Sequence, residues 1–127
     1  MQLAYTILYV EDVPKALAFY VQAFGLSQKF LHEGGDYGEL ETGATRLAFS
    51  SRKLMRELNK NPVPANANAP CFEIAFTTDD VEAAIERAVR AGAQLMQPAK
   101  SMPWDQTIAY VADLDGFLIE LCTPMAS

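Results

Sequence analysis

An internal duplication constrains the fold of this chain more than any other feature. Residues 3–30 read as a strand, an acidic helix cap, a helix and a second strand, and residues 69–97 repeat that order. In this alignment Asp12 matches Asp80, 68 residues later. A repeat of this length is a duplicated supersecondary module and not a solenoid unit. We therefore expect two similar halves that share one site at their junction.

The first half reads as β-α-β-β-β. Asp12 is a suitable N-cap, Pro14 stands in the first turn where a missing N–H costs nothing, and Gly25 ends the helix. Runs rich in β-branched and aromatic residues predict the strands, and Gly residues separate them. The predicted strands are 3–10, 27–32, 37–42 and 45–51, followed by a short helical stretch within 52–60.

The second half follows a linker, residues 61–70, which holds three prolines and three asparagines and supports no regular element. Asp115 and Gly116, between two apolar runs, predict a hairpin turn. We therefore expect one domain over residues 2–124, with module one at about 2–60 and module two at 71–124. The second module's predicted elements are strands 71–77, 94–97, 106–112 and 117–122 and a helix at 81–91.

Charge and length exclude several classes of partner. The chain has 127 residues and a net charge of −6, without a cluster of basic residues. Nucleic acid and anionic membrane surfaces would be repelled, whereas cationic small molecules would be attracted. No apolar run approaches the ~18 residues of a membrane span, and the first residues lack a signal-peptide pattern. We expect a cytoplasmic protein in which Cys71 and Cys122 stay reduced.

Three sequence segments, in this order and within two β-α-β-β-β halves, carry a resemblance to a known family. They are VEDV at the start of the first helix, FYVQAFGL at its end, and DLDGFLIEL near the C-terminus. The chain resembles the vicinal oxygen chelate superfamily, which contains glyoxalase I, extradiol dioxygenases, fosfomycin-modifying enzymes and bleomycin-resistance proteins. The resemblance implies an α+β fold of two tandem βαβββ modules, with eight strands in a partly open, cup-shaped sheet. It also implies a homodimer and a ligand cavity between modules of one chain or of two.

The resemblance also implies four strand positions for metal ligands. They correspond here to Tyr5, Glu73, Glu120 and Ala48, with Leu47 as the alternative to Ala48. A tyrosine phenol is a poor ligand near neutral pH, and alanine is none. Transition metals in catalytic sites usually need imidazole nitrogen or thiolate. We therefore expect no metal cofactor, since two glutamates alone would form only a weak site.

Aromatic residues are the other candidates for the cavity wall. Trp104 is either a core or loop-anchoring residue or a flat surface that stacks on a planar or cationic ligand. Phe49 and Tyr110, with Tyr37, are further lining candidates, although each could equally belong to the core. His32, the single histidine, is predicted to lie on the surface.

Glu73 and Glu120 carry the remaining chemistry. Strand alternation places both on the face that the resemblance assigns to the cavity, although each could also be an ordinary solvated residue. If the two carboxyls lie close together without a metal, one pKa must rise. Such a pair binds a cationic group or holds a proton for acid–base chemistry.

Three functions compete on this reading. The first is a metal-independent binding protein of the bleomycin-resistance type, which sequesters a small, cationic, aromatic molecule and so serves antibiotic resistance. The second is a glyoxalase-like or dioxygenase-like metalloenzyme, a lyase or oxidoreductase, with a degenerate site at Glu73 and Glu120. The third is a cofactor-free acid–base enzyme that uses the same glutamates with Tyr5. The predicted ligand-binding residues are Tyr5, Phe49, Glu73, Trp104, Tyr110 and Glu120.

Overall fold

Both halves of the chain adopt the predicted β-α-β-β-β order in a computed structural model that describes residues 1–125. The chain divides into two compact units, Met1–Pro64 and Ala65–Ser127. Each unit contains one four-stranded mixed sheet, so the predicted α+β class is confirmed. Among the helices of the described residues, none is long and apolar enough to cross a membrane.

Unit one contains a sheet, here called sheet one, with the strand order β1-β4-β3-β2. Strands β1 and β4 run parallel, and the other pairs are antiparallel. The elements are β1 (Tyr5–Val10), α1 (Val13–Phe24), β2 (Ser27–Leu31), β3 (Tyr37–Glu41), β4 (Arg46–Ser51) and α2 (Arg52–Glu57). The predicted boundaries therefore hold to within a few residues.

Helix α1 packs on one face of sheet one. Its N-cap is Asp12, whose Oδ1 accepts a hydrogen bond from the Lys15 N–H at 3.1 Å. Gly38 on β3 permits the close approach of the helix, because a Cβ there would lie 2.6 Å from Cδ1 of Leu17. A larger residue at position 38 would push α1 away from the strand.

Unit two contains sheet two, with the equivalent order β5-β8-β7-β6. Strands β5 and β8 run parallel, as β1 and β4 do in unit one. Helix α3 has Asp80 as its N-cap, as predicted from the repeat. The elements are β5 (Glu73–Thr77), α3 (Val81–Ala91), β6 (Gln94–Met102), β7 (Gln106–Ala112) and β8 (Leu118–Cys122).

Strand β6 is longer than predicted. The sequence indicated a strand that ends at Gln97, because Pro98 interrupts the run, but β6 continues to Met102. The strand lies at the edge of sheet two and its pairing with β7 shifts register between Gln97 and Lys100. A proline is tolerated at an edge or at such an irregularity, because no ladder hydrogen bond needs its missing N–H.

The predicted turn between β7 and β8 is confirmed, and a carboxylate organises it. The side chain of Asp113 accepts hydrogen bonds from the N–H groups of Asp115 at 2.9 Å and Phe117 at 2.8 Å. Gly116 has φ +90, and a Cβ there would lie 2.5 Å from the Ala65 carbonyl oxygen. The DLDG segment therefore has a structural role in unit two.

Candidate functional site

Each sheet has one face covered by its long helix, α1 or α3, and we call the opposite one the far face. On β8, Ile119 and Leu121 are buried beneath α3, so alternation places Glu120 and Cys122 on the far face of sheet two. Glu120 pairs with Ala75 on β5 and with Tyr110 on β7. The far face of sheet two therefore carries the predicted glutamate.

Glu73 and Glu120 meet on this far face. Glu73 pairs with Leu118 and Ala75 pairs with Glu120 on the adjacent strands β5 and β8, so the two glutamates are diagonal neighbours on one face. Partial desolvation raises the pKa of Glu73, and the neighbouring carboxyl of Glu120 raises it further. The raised pKa means that a negative charge on Glu73 is disfavoured beside Glu120. The expected carboxyl pair is therefore present within unit two.

Tyr110 and Cys122 flank the pair as protonated groups. The Tyr110 hydroxyl donates to Oε1 of Glu120 at 3.0 Å, and burial followed by this contact raises the pKa of Tyr110 to about 12. Burial and Glu120 likewise raise the pKa of the Cys122 thiol to about 11. At neutral pH neither group is an anion, so the negative charge of the site belongs to Glu73 and Glu120.

Trp104 lies in the turn between β6 and β7 and is 53% exposed, which excludes a core role. Its indole N–H donates to Oε1 of Gln106 at 2.7 Å, and Nε2 of Gln106 donates to the Thr123 carbonyl oxygen at 2.9 Å. Thr123 follows directly after β8, so Gln106 fixes the indole beside the end of the strand that carries Glu120.

The donor set on the far face of sheet two does not fit a transition metal. Unit two contributes two carboxylates and one thiol, whereas His32, the single histidine in the sequence, belongs to unit one, where its Nδ1 accepts from the Gly34 N–H. Across residues 1–125, no three His, Cys, Asp or Glu side chains are grouped so as to hold a metal ion. Zinc, nickel and iron sites of catalytic proteins usually have about three ligands that include imidazole nitrogen or thiolate.

The strand register identifies the unit-one counterpart of Glu120. Ala48 pairs with Ile7 on β1, as Glu120 pairs with Ala75 on β5. Of the two residues left open by the sequence, Ala48 therefore occupies this position and Leu47 does not. Unit one has no carboxylate where unit two has one.

Unit one instead carries a carboxylate on the neighbouring strand. Glu39 on β3 pairs with Ala48, as Tyr110 pairs with Glu120 in unit two. Glu39 is only 6% exposed and accepts a hydrogen bond from the Tyr37 hydroxyl at 2.8 Å. The sequence analysis missed this residue. The available signal was a charged side chain two residues after Tyr37 in the predicted strand 37–42, since alternation places both on the same face.

Tyr5 and Phe49, the two unit-one residues predicted to bind ligand, lie on opposite faces of sheet one. Tyr5 is exposed on the far face, beside Arg46 on β4. Phe49 is fully buried, and its ring centroid lies 5.0 Å from that of Tyr20 on α1. Phe49 is therefore a core residue, and the prediction that it contacts ligand is corrected.

A shallow groove of about 620 Å³ lies on the other side of unit two, between α3 and β6. None of the predicted site residues lines it. It is apolar and open, and its lining residues are Ile85, Glu86, Val89, Arg90 and Leu95.

Comparison with known proteins places the chain in a family. The model of the Glyoxalase/Bleomycin resistance protein/Dioxygenase superfamily matches residues 2–121. The chain belongs to this superfamily. Among relatives, YraH of Bacillus subtilis is 26% identical over 125 residues, which are 95% of this chain and 97% of YraH. A probable lactoylglutathione lyase of Vibrio parahaemolyticus is 27% identical over 94% of this chain and 88% of its own length.

Solved structures of the superfamily share the fold. A glyoxalase-related enzyme from Fulvimarina pelagi superimposes with a TM-score of 0.84 at 24% identity, over 98% of this chain and 88% of that one. A family member from Burkholderia phytofirmans superimposes with a TM-score of 0.80 at 19% identity, over 97% and 98% of the two chains. The predicted tandem βαβββ fold is therefore confirmed.

Proposed function

We propose that this superfamily member is a metal-independent binding protein that sequesters a small cationic aromatic molecule on the far face of sheet two. The proposal rests on the placement of Glu73 and Glu120 as neighbours on one face of β5 and β8, where each carboxyl disfavours the charge of the other. In the free protein the two carboxyls can share a proton. A ligand cation takes the place of that proton and satisfies both groups without adding net negative charge.

The aromatic part of the proposal rests on Trp104. Its indole is half exposed, and its N–H is held by Gln106. An indole oriented in this way offers its π face to a ligand, and Trp is the strongest cation–π partner among the side chains. The hydrogen bond from Gln106 to the Thr123 carbonyl oxygen places this aromatic face beside the end of β8, the strand that carries Glu120.

Binding without turnover is favoured by the protonation states of the far face. Tyr110 and Cys122 both have raised pKa values, so the site holds no phenolate or thiolate nucleophile at neutral pH. The carboxylates lack the nitrogen or sulfur donors that a catalytic transition metal uses. Sequestration of a toxic or antibiotic cation is the role that this chemistry would serve.

The test is a fluorescence titration, for which Trp104 is the only tryptophan. Phenyltrimethylammonium should quench or shift its emission, with an affinity that falls as salt rises. Benzoate, of similar shape and opposite charge, should not. The double variant Glu73→Gln/Glu120→Gln should lose the response, whereas Glu33→Gln, an exposed residue of unit one, should keep it. An equal response in the double variant would reject the proposal.

A lyase is the second candidate, because a relative with 27% identity is named a probable lactoylglutathione lyase. In that case Glu73 and Glu120 would contribute to a metal site. Incubation with Ni²⁺ or Zn²⁺ and the hemithioacetal of methylglyoxal and glutathione distinguishes the two functions. Metal-dependent turnover that is lost in Glu120→Gln would replace the binding proposal with the lyase. Turnover without metal would instead favour acid–base catalysis by the glutamates.

We also propose that the protein is a homodimer, as the family resemblance implies. A stable interface would bury at least about 1,000 Å² and would be symmetric. Light scattering at micromolar concentration should report twice the mass of one chain. A monomeric mass that persists when the protein is concentrated tenfold would contradict the dimer.

A further inference from the structure

We infer that the far face of sheet one carries a second binding site, centred on Arg46, that holds the anionic oxygens of a carboxylate or phosphate group. This site shares no residue with the carboxyl pair of sheet two and does not depend on the proposed function.

Arg46 has more donors than its surroundings satisfy. Its Nε is buried and makes no hydrogen bond within the described residues, and it lies 3.6 Å from Oε1 of Glu39. That distance is longer than the 2.7–3.2 Å of a typical N–H···O hydrogen bond. The side chain is 31% exposed, so the terminal nitrogens of the guanidinium reach solvent. Of its five N–H donors, none donates a standard hydrogen bond to residues 1–125.

An arginine with only a structural role would be expected to have its buried N–H donors hydrogen-bonded. Buried donors are nearly always paired, and Arg–carboxylate pairs are frequently bidentate. Here Glu39 accepts its short hydrogen bond from Tyr37, at 2.8 Å, and leaves Arg46 at a longer distance. Glu39 therefore orients the guanidinium from one side without saturating it. An oxyanion that approaches from the exposed side would complete the donor set.

Neighbouring residues add to the same chemistry. Tyr5 pairs with Arg46 across β1 and β4 and is 48% exposed, so its hydroxyl lies on the same face. Tyr9 lies farther along β1. The Nζ atom of Lys60 lies 3.2 Å from the hydroxyl oxygen of Tyr9 and 5.5 Å from the centroid of its ring. Two cations therefore occupy the far face of sheet one. With the single negative charge of Glu39 beside Arg46, these three groups keep an excess of positive charge, which favours an anion although the whole chain is acidic.

The equivalent positions of sheet two show that this chemistry is specific to unit one. Arg46 pairs with Tyr5 as Leu118 pairs with Glu73, so a leucine stands where unit one has its guanidinium. At the position of Arg46, sheet two thus has no cation, whereas sheet one has a guanidinium whose Nε makes no hydrogen bond within residues 1–125. The two far faces are suited to groups of opposite charge.

The experiment follows the Arg Nε–Hε signals in ¹H–¹⁵N NMR spectra. The protein is titrated with sodium benzoate and, separately, with inorganic phosphate, at ionic strength held constant with NaCl. The Arg46 signal should shift and saturate with at least one of them. A response to benzoate alone identifies a carboxylate site, and a response to phosphate alone identifies a phosphate site. Either response supports the inference.

Variants separate this site from general charge effects. Arg46→Gln should abolish the saturable response of neighbouring backbone amides, and Arg56→Gln, which removes an exposed arginine of the same unit, should leave it intact. Glu39→Gln should tighten anion binding several-fold, because it removes a negative charge beside the guanidinium. If Arg46→Gln disturbs the fold, Arg46→Lys is the variant to measure. Its ammonium group should bind the anion several-fold more weakly than the guanidinium of Arg46 does.

The contrary results are equally definite. The inference is overturned if neither anion gives a saturating shift or if all arginine signals shift in parallel. It is also overturned if the response is the same in Arg46→Gln and in the unaltered protein.

Discussion

Ala48 of sheet one and Glu120 of sheet two occupy equivalent positions, since each pairs with the third residue of the parallel strand beside it. The backbone register of the two units is therefore the same, but the carboxylate is not. In unit one a carboxylate is found instead on the neighbouring strand β3, where Glu39 pairs with Ala48. Because Arg46 accompanies Glu39, the unit-one cluster is internally compensated. In unit two the neighbouring carboxyl of Glu120 instead contributes to raising the pKa of Glu73.

Cation binding should depend on pH through Glu73. Its pKa is raised in the folded protein, so the pair holds a proton above the usual range of a glutamate and loses it as pH rises. Affinity for phenyltrimethylammonium should increase as pH rises through this raised pKa and then level off. Fluorescence titrations between pH 4 and 8 measure the effect. In Glu73→Gln the profile should be flatter, and an unchanged profile would show that another group controls binding.

Stability should change with pH in the opposite direction. A carboxyl with a raised pKa contributes stability that is present below its unfolded-state pKa and is lost as pH rises through its folded-state pKa. Glu73→Gln should therefore make the free protein more stable at pH 8 than the unaltered protein, with a smaller difference at pH 4. Urea unfolding at the two pH values measures this. Glu33→Gln, at an exposed position away from Glu120, should show no such difference.

Trp104→Ala should weaken the binding of an aromatic cation without unfolding the domain. The loss of a cation–π contact is worth about 0.5–2 kcal/mol, or roughly 2- to 30-fold in affinity. Calorimetry measures it, because the fluorescent reporter is removed. Stability should change little, since the side chain is half exposed. Trp104→Phe should keep part of the affinity, and full affinity in Trp104→Ala would exclude stacking.

Phe49→Ala should have the reverse effect. The ring is fully buried against Tyr20, so its removal should cost about 3–5 kcal/mol of unfolding free energy. Ligand affinity measured on the folded fraction should be unchanged. Phe49→Leu should cost less, because it leaves a smaller cavity. If Phe49→Leu lost ligand affinity without losing stability, Phe49 would have to be counted as a ligand-binding residue.

The duplicated pattern made most of the fold predictable. Asp12 and Asp80 cap their helices as expected, because a side-chain carboxylate three residues before a free backbone N–H satisfies it locally. The turn at Gly116 was also predictable, since it depends on residues within one short segment. Strand β6 was predicted too short because the proline signal is local, whereas the tolerance for Pro98 comes from its position at the edge of the sheet.

The glutamates of unit two were identified from the sequence because the family resemblance implies ligand positions there and strand alternation places both on one face. Two other outcomes depended on which strands are neighbours. Phe49 was predicted to contact a ligand, but it lies on the face of sheet one that packs on α1. Only the pairing of β3 with β4 shows this. Glu39 and Arg46 were overlooked because they are seven residues apart on different strands, and their ion pair forms only when β3 and β4 align.

The sequence by itself thus determined the order of elements and their caps, which depend on short-range spacing and on the repeat, and the family resemblance singled out the two glutamates. The tertiary structure decided which side chains share a face, which carboxyl lies beside a guanidinium and which aromatic ring is exposed. These properties arise from contacts between strands distant in sequence. Burial and charge at those contacts set the chemistry of Glu73, Glu39 and Trp104.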